Sequence, residues 1–176
     1  MNVHGLVLAA GAGRRYGGPK VLADGWLLHT LHTLAEGGCA ACTVVLGAEA
    51  DRARPLVPDG VGVVVADDWS EGMGASLRAG LAALADCEAV LVTLVDLPDV
   101  GPDVVRRLLD RPLGASVLAR ATFGGRPGHP VLLGHDHLAG AAASAQGDRG
   151  AHRYLAAHGA TLVECGDLAS GRDVDR

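Results

Sequence analysis

The chain has 176 residues, 49% of them hydrophobic and 20% charged, which suits one folded domain with a sizeable core and is too short for two ordinary ones. A formal charge of −5 removes the sequence-independent attraction on which nucleic-acid and acidic-membrane binders depend, so neither partner is expected. No apolar run approaches the ~20 residues that span a bilayer, and the expected compartment is the cytoplasm.

Residues 3–10 are almost continuously apolar and end in glycine, the pattern of a strand buried on both faces. Directly after it comes Gly11-Ala12-Gly13-Arg14-Arg15-Tyr16-Gly17-Gly18-Pro19-Lys20. Glycines there let backbone N–H groups close on an anion, and Arg14, Arg15 and Lys20 supply countercharge, so the segment reads as a phosphate cradle. It is not a dinucleotide fingerprint, because Tyr16 stands where the third glycine belongs, nor a Walker loop, because Pro19 precedes Lys20 and Val21 follows it. Lys20 is the only lysine in a Lys+Arg count of 15, and isoleucine is absent. A lysine persisting against that bias toward arginine points to a place where a compact ammonium works and a planar guanidinium does not.

Helical spacing follows at residues 26–36, and Cys39-Ala40-Ala41-Cys42 falls where that helix hands over to a strand at 42–46. A redox pair is expected to open a helix, so the four cysteines, Cys39, Cys42, Cys87 and Cys165, are read as reduced packing residues. A strand at 61–66 leads through Trp69, Gly72 and Met73 into a helix at 74–85, with Trp69 expected in the core. The next strand, 89–95, delivers Asp96 at its carboxyl end ahead of Pro98, a position suited to a metal ligand. A helix at 102–110 and a strand at 115–119 precede Gly124-Gly125-Arg126-Pro127-Gly128, the most irregular segment; Gln146-Gly147-Asp148-Arg149-Gly150 is the next, and both are expected to be acceptor-side loops. His129, between Gly128 and Pro130, is expected to meet substrate, whereas His135 and His137 lack a third partner at metal spacing. A helix at 151–158 and a strand at 161–165 complete the order.

The alternation predicts an α/β fold, a three-layer α/β/α sandwich on a mostly parallel sheet, with ligands beyond the carboxyl ends of the strands. One domain over 1–176 is expected, with a nucleotide half at roughly 1–100 and an acceptor half at roughly 101–176.

Leu8-Ala9-Ala10-Gly11-x-Gly13-x-Arg15-x-Gly17-x-Pro19-Lys20 resembles the signature of the NTP transferases related to the molybdenum cofactor nucleotidyltransferases, with Tyr16 in place of the usual methionine. Three further segments resemble that family in the same order. Trp69-Ser70-Glu71-Gly72-Met73 with Ser76 matches its W-x-x-G-M-x-x-S segment, and Val95-Asp96-Leu97-Pro98 matches its V-D-x-P element. Gly125-Arg126-Pro127-Gly128-His129-Pro130, with the Gly147–Gly150 loop, looks like the cytidylyltransferase branch. The resemblance implies a Rossmann-like nucleotidyltransferase fold of the GT-A kind. It implies that Leu8, Ala9, Ala10, Gly11, Gly13, Gly72 and Ser76 line the nucleotide site, that Arg15 and Lys20 clamp the β- and γ-phosphates, and that Asp96 holds Mg²⁺. His129 and Arg149 are then acceptor contacts, and Asp173 or Asp175, in a segment resembling the start of the family's D-[IV]-D-T-P-E-D, is a candidate second metal ligand.

The implied reaction is transfer of a nucleotide from CTP to the phosphate of molybdopterin with release of pyrophosphate, with a molybdenum hydroxylase as a possible downstream partner. CTP is expected because the GTP-using branches carry Leu-Ala-Gly-Gly at the start of the loop, where this chain has Ala10; one methyl group is worth only about 1–3 kcal/mol of discrimination. Two alternatives stand beside it: transfer to a sugar or other phosphate, and a nucleotide- and cofactor-binding accessory module with little turnover, favoured because the D-x-D segment stops before the family's Thr-Pro.

Overall fold

The structure, a computed structural model, describes residues 2–174. Seven strands, β1 (Val3–Leu8), β2 (Ala41–Leu46), β3 (Gly62–Val65), β4 (Ala89–Leu94), β5 (Leu118–Phe123), β6 (Arg126–Gly134) and β7 (Thr161–Glu164), form one sheet in the order β3-β2-β1-β4-β6-β5-β7. Only β6 runs against the others. The helices are α1 (Trp26–Gly37), the short α2 (Ala50–Ala53), α3 (Met73–Ala83), α4 (Pro102–Leu109), α5 (His135–Ser144) and α6 (His152–Ala157).

The apolar run at the start of the chain serves two cores because strand side chains alternate. Val3, Val7 and Ala9 face a cluster with Leu27, Leu31 and Leu34 of α1 and with Val104, Val105 and Leu108 of α4. Leu6, Leu8 and Ala10 face a second cluster with Leu77 and Leu81 of α3, Leu138 of α5 and Leu155 of α6. The result is the expected three-layer sandwich. Close packing depends on glycine at Gly37, where an added Cβ would lie 2.4 Å from Val105, and at Gly80, where it would lie 2.7 Å from Leu6.

Strand β1 pairs with β2 on one side and β4 on the other, so the chain reverses direction across the sheet at β1 and leaves a crevice beyond the carboxyl ends of β1 and β4. That crevice is where the glycine-rich loop and Asp96 meet.

The second half of the chain departs from the sequence reading. The segment expected to be an irregular loop at 124–128 is a tight hairpin: Phe123 pairs with Arg126, and the two linking residues, Gly124 and Gly125, have φ of 59° and 75°. Two left-handed residues give the type I′ turn that matches strand twist, which only glycine, Asn or Asp accept readily. The Glu164 carboxylate accepts from the N–H groups of Gly124, Gly125 and Gly166 and from the Thr122 hydroxyl, and these donors hold its pKa down at about 2. β6, absent from the sequence reading, therefore occupies 126–134, and α5 follows it at once. The strand expected at 115–119 instead begins at Leu118 and runs past Arg120 to Phe123.

Candidate active site

The crevice holds a cavity of about 410 Å³. The first β-strand ends into it, and Leu8, Ala9, Ala10, Gly11 and Gly13 line one wall. Gly13 makes the loop possible. Its carbonyl oxygen accepts from the N–H groups of Tyr16, Gly17 and Gly18 at 2.9, 2.9 and 3.1 Å, and its φ is +57°. A Cβ there would sit 1.8 Å from the Gly18 carbonyl oxygen, so the loop closes only around glycine.

The loop then delivers Lys20 on a 3-10 turn to the end of β4, where its Nζ donates to Asp96 Oδ2 at 2.6 Å. Both side chains are 14% exposed, so water screens the pair only weakly. The two residues singled out separately in the sequence thus form one charged centre at the cavity wall. Arg14 also lines the cavity, whereas Arg15 is exposed and outside its lining.

The opposite wall comes from the amino end of α3. Gly72 (φ 115°) and Ser76 line it with Trp69 and Met73. Ser76 is buried, and the first N–H groups of α3 open toward the cavity side of the helix. Trp69, expected in the core, is only half-buried: its Cβ sits against Gly47 while the side chain forms cavity wall. Arg78 fastens this wall, donating to Asp68, Glu71 and the Ala145 carbonyl oxygen at 2.8, 2.8 and 3.0 Å. A Cβ on Gly72 would meet Asp148 and Gly147, and one on Gly74 would meet Gln146, so the 146–150 loop rests directly on the start of α3.

Behind Leu8 and Met73, which border both spaces, lies a smaller cavity of about 40 Å³ containing His129 and Arg149. Sequence reasoning predicted those two and missed Arg120 and His152, which share it. Arg120 Nε donates to the Gly128 carbonyl oxygen at 2.9 Å, and its Nη1 donates to His152 Nδ1 at 3.0 Å. The signal was an arginine inside an apolar alternating run. The half-buried His129 has its pKa pushed down to about 4, by desolvation first and the Arg120 charge second, so the ring is neutral at physiological pH.

The chain end returns to the site: the Val174 N–H donates to the Asp96 carbonyl oxygen at 3.2 Å, while the neighbouring Asp173 is exposed and outside the cavity lining. Asp175 lies outside the described residues. All four cysteines are free thiols, and burial, with Cys42 nearby, raises Cys39 to about 12, an inert value. His137 bonds Tyr154 and the Ser116 carbonyl oxygen, and His135 bonds the Cys87 carbonyl oxygen, so both are absorbed structurally. Among the described residues no helix is long and apolar enough to cross a membrane.

Residues 5–162 match the MobA-like NTP transferase domain family. Nicotine blue oxidoreductase of Paenarthrobacter nicotinovorans is 38% identical over 98% of this chain and 92% of its own length. The crystal structure of a Mycobacterium sp. strain JC1 homologue of a Mycobacterium tuberculosis protein has a TM-score of 0.82 and 31% identity, covering 98% of this chain and 90% of that one. The Mycobacterium tuberculosis H37Rv protein, solved in complex with manganese, has a TM-score of 0.74 and 27% identity, covering 94% of this chain and 88% of that one.

Proposed function

Because the chain belongs to the MobA-like NTP transferase family, we propose that it transfers a nucleotide from CTP to a phosphate-bearing acceptor of the molybdopterin class, with Mg²⁺ or Mn²⁺ at Asp96. The observation that carries this reading is the Lys20–Asp96 pair at 2.6 Å beneath the glycine loop, a cation and an anion sharing one wall of a nucleotide-sized cavity.

The donor set fits a divalent cation. Asp96 supplies a carboxylate at the cavity, and among the described residues no group of three or more His, Cys, Asp or Glu side chains converges into a closed cage. Magnesium-like ions favour one or two carboxylates completed by phosphate oxygens and water. When bound, such a cation neutralises the triphosphate and polarises the α-phosphoryl oxygen. The manganese complex of the mycobacterial relative supports the same reading.

In the proposed reaction an acceptor phosphate oxygen bonds to the α-phosphorus as the bond from that phosphorus to the β-bridging oxygen breaks, and the electron pair leaves with pyrophosphate. A phosphate monoester is mostly dianionic at pH 7, its second pKa being about 6, so no general base is required. Lys20, exchanging Asp96 for phosphate oxygens, holds the departing charge, and Arg14 and Arg15 of the same loop add to the field. Gly11 and Gly13 keep the backbone close to the triphosphate, while Gly72 and Ser76 border the base and ribose. Ala10, buried at the cavity wall, narrows it against a purine and supports CTP. On this reading residues 1–100 supply most of the nucleotide site, residues 101–176 supply the acceptor site, and the protein works in the cytoplasm, handing product to a molybdenum hydroxylase.

The test is pyrophosphate release with each NTP, Mg²⁺ or Mn²⁺, and a panel of acceptors including molybdopterin and sugar phosphates. Release that needs CTP and molybdopterin and disappears in Asp96→Ala supports the proposal; release with another pair replaces its substrates; nucleotide binding without turnover replaces it with a binding module.

One observation favours a second reading. The Paenarthrobacter relative, 38% identical along 98% of this chain, is named for a redox reaction on nicotine blue. A hydride donor such as a reduced nicotinamide dinucleotide, held in the same cavity without the dinucleotide fingerprint that the loop lacks, would reduce the dye, with the proton taken from water. Oxidation of NADH or NADPH in the presence of such a dye, undiminished in Asp96→Ala, would favour it over transfer.

A further inference from the structure

Arg120 stands where the sheet would ordinarily place a core side chain. Its neighbours Ala119 and Ala121 face the α1/α4 core, so Arg120 points with Leu118 to the face covered by α3, α5 and α6. β5 is an internal strand, and Arg120 pairs with Val131 on one side and Leu162 on the other. Its guanidinium is half-buried, and burial lowers its pKa. Among the described residues it bonds only two groups, the Gly128 carbonyl oxygen and His152 Nδ1, both neutral. Among the described residues no carboxylate oxygen lies within 4.0 Å of it. Arg78 and Arg107, by contrast, each bond carboxylates at 2.8 Å or closer. A partly buried charge with no counter-ion is costly, and the fork of a guanidinium is shaped for a carboxylate or phosphate.

Two spaces meet at this residue. The inner cavity of about 40 Å³ borders the nucleotide site through Leu8 and Met73 and is much the smaller of the two. On the other side of Arg120 and His152 lies a groove of about 300 Å³, walled by Pro127, Leu155, Ala156 and Leu162, the last 59% exposed. An apolar groove that shares Arg120, His152 and Leu155 with a small cationic cavity suits a molecule with two unlike ends.

We propose that Arg120 is the anion-binding and specificity-determining residue of the acceptor site, which takes an anionic head group at the junction of the two cavities and a flat, largely apolar body in the outer groove. His152 accepts one guanidinium N–H and so turns the rest of the fork toward the head group, while the neutral His129 offers a hydrogen bond without adding a second buried charge. That the bound molecule is the acceptor rests on the transfer reading; the anion site does not.

The experiment uses 1-naphthyl phosphate, inorganic phosphate and 1-naphthol, titrated by calorimetry into the full chain with the nucleotide site filled by α,β-methylene-CTP and Mn²⁺. Naphthyl phosphate is expected to bind at least tenfold more tightly than either of the others. Arg120→Gln is expected to weaken it about tenfold or more, the loss of a charge-assisted contact, while nucleotide binding is unchanged. Arg120→Lys should restore part of the loss, and Leu162→Ser should weaken naphthyl phosphate but not inorganic phosphate. Unchanged naphthyl phosphate binding in Arg120→Gln, or 1-naphthol binding as well as its phosphate, overturns the proposal. Parallel loss of nucleotide binding overturns it too, by giving Arg120 to the nucleotide. If Arg120→Gln loses its native circular dichroism, Arg120→Lys and the salt dependence of naphthyl phosphate binding to the native protein decide in its place. Failure of the CTP analogue to bind the native protein removes CTP as the donor alone; the naphthyl phosphate titration then decides the anion site by itself.

Discussion

The two halves of the crevice manage charge differently. On the nucleotide side Lys20 already holds a counter-ion, Asp96, at 2.6 Å, and the two are nearly closed off from water. On the proposed acceptor side Arg120 is half-buried and, among the described residues, its guanidinium bonds only a carbonyl oxygen and an imidazole nitrogen. A preformed ion pair must be separated before each partner takes its own ligand, so the nucleotide side suits a pair of ligands, cation and polyphosphate, that arrive together. An uncompensated cation needs no such exchange and gains most from a single anion. On the proposed reading, positioning is therefore divided: chemistry at the paired site, selection at the site proposed around Arg120.

The largest effect that would break this division is on Asp96. Asp96→Asn leaves the size of the side chain alone and removes the charge that Lys20 Nζ meets at 2.6 Å. We expect kcat for pyrophosphate release to fall about 10²–10³-fold, the loss usual for one electrostatic group at a reacting centre. The acceptor KM should barely move, and the reverse split is expected for Arg120→Gln. Equal effects of both variants on both parameters would mean that the two sides are not separate. Next in size is Gly13→Ala. A Cβ 1.8 Å from the Gly18 carbonyl oxygen at a φ of +57° should cost about 1–3 kcal/mol in a urea melt and weaken CTP binding while leaving naphthyl phosphate untouched.

The same contrast explains which half was legible in the sequence. The nucleotide side is built by consecutive residues: a strand, a loop and a strand-end aspartate, each with a local signature, and Leu8 to Gly13, Lys20 and Asp96 all reach one cavity. Order along the chain could not show that Lys20 and Asp96 touch, because 76 residues separate them. Nor could it show that Arg14 rather than Arg15 lines the wall, since adjacent loop residues point apart. The acceptor side is built across the sheet. Gly124 and Gly125 looked irregular because two successive glycines mark a loop and a type I′ turn alike, and the β6 pairing that distinguishes them is long-range. Ending a strand at Ala119 hid Arg120, since a charged residue in an apolar run reads as a strand end until the neighbouring cavity is seen.

The smallest effect concerns His129. In the unfolded chain its imidazole takes up a proton near pH 6.5, and in the folded protein only near about 4, because burial and the Arg120 charge oppose it. Between those values the unfolded state holds more protons, so His129 should lower stability steadily as the pH falls from 6.5 to about 4 and add no slope below that. The ring is half-buried, so water reduces the effect to about 1–2 kcal/mol. Glu164, held at about 2, acts in a lower window, its contribution fading as the pH falls from 4.5 to 2. Urea melts of the native protein and His129→Gln across pH 4–7 should differ in slope only in the upper window. Repeating them with saturating naphthyl phosphate sharpens the comparison: an anion on Arg120 removes one of the two causes that hold His129 neutral, so the imidazole takes its proton at a higher pH and the upper window narrows. By linkage, and relative to His129→Gln, in which the ligand's own protonation near pH 6 is the same, naphthyl phosphate must bind the native protein progressively more tightly as the pH drops through that window, and identical pH profiles for the two proteins would mean that the anion does not sit beside His129.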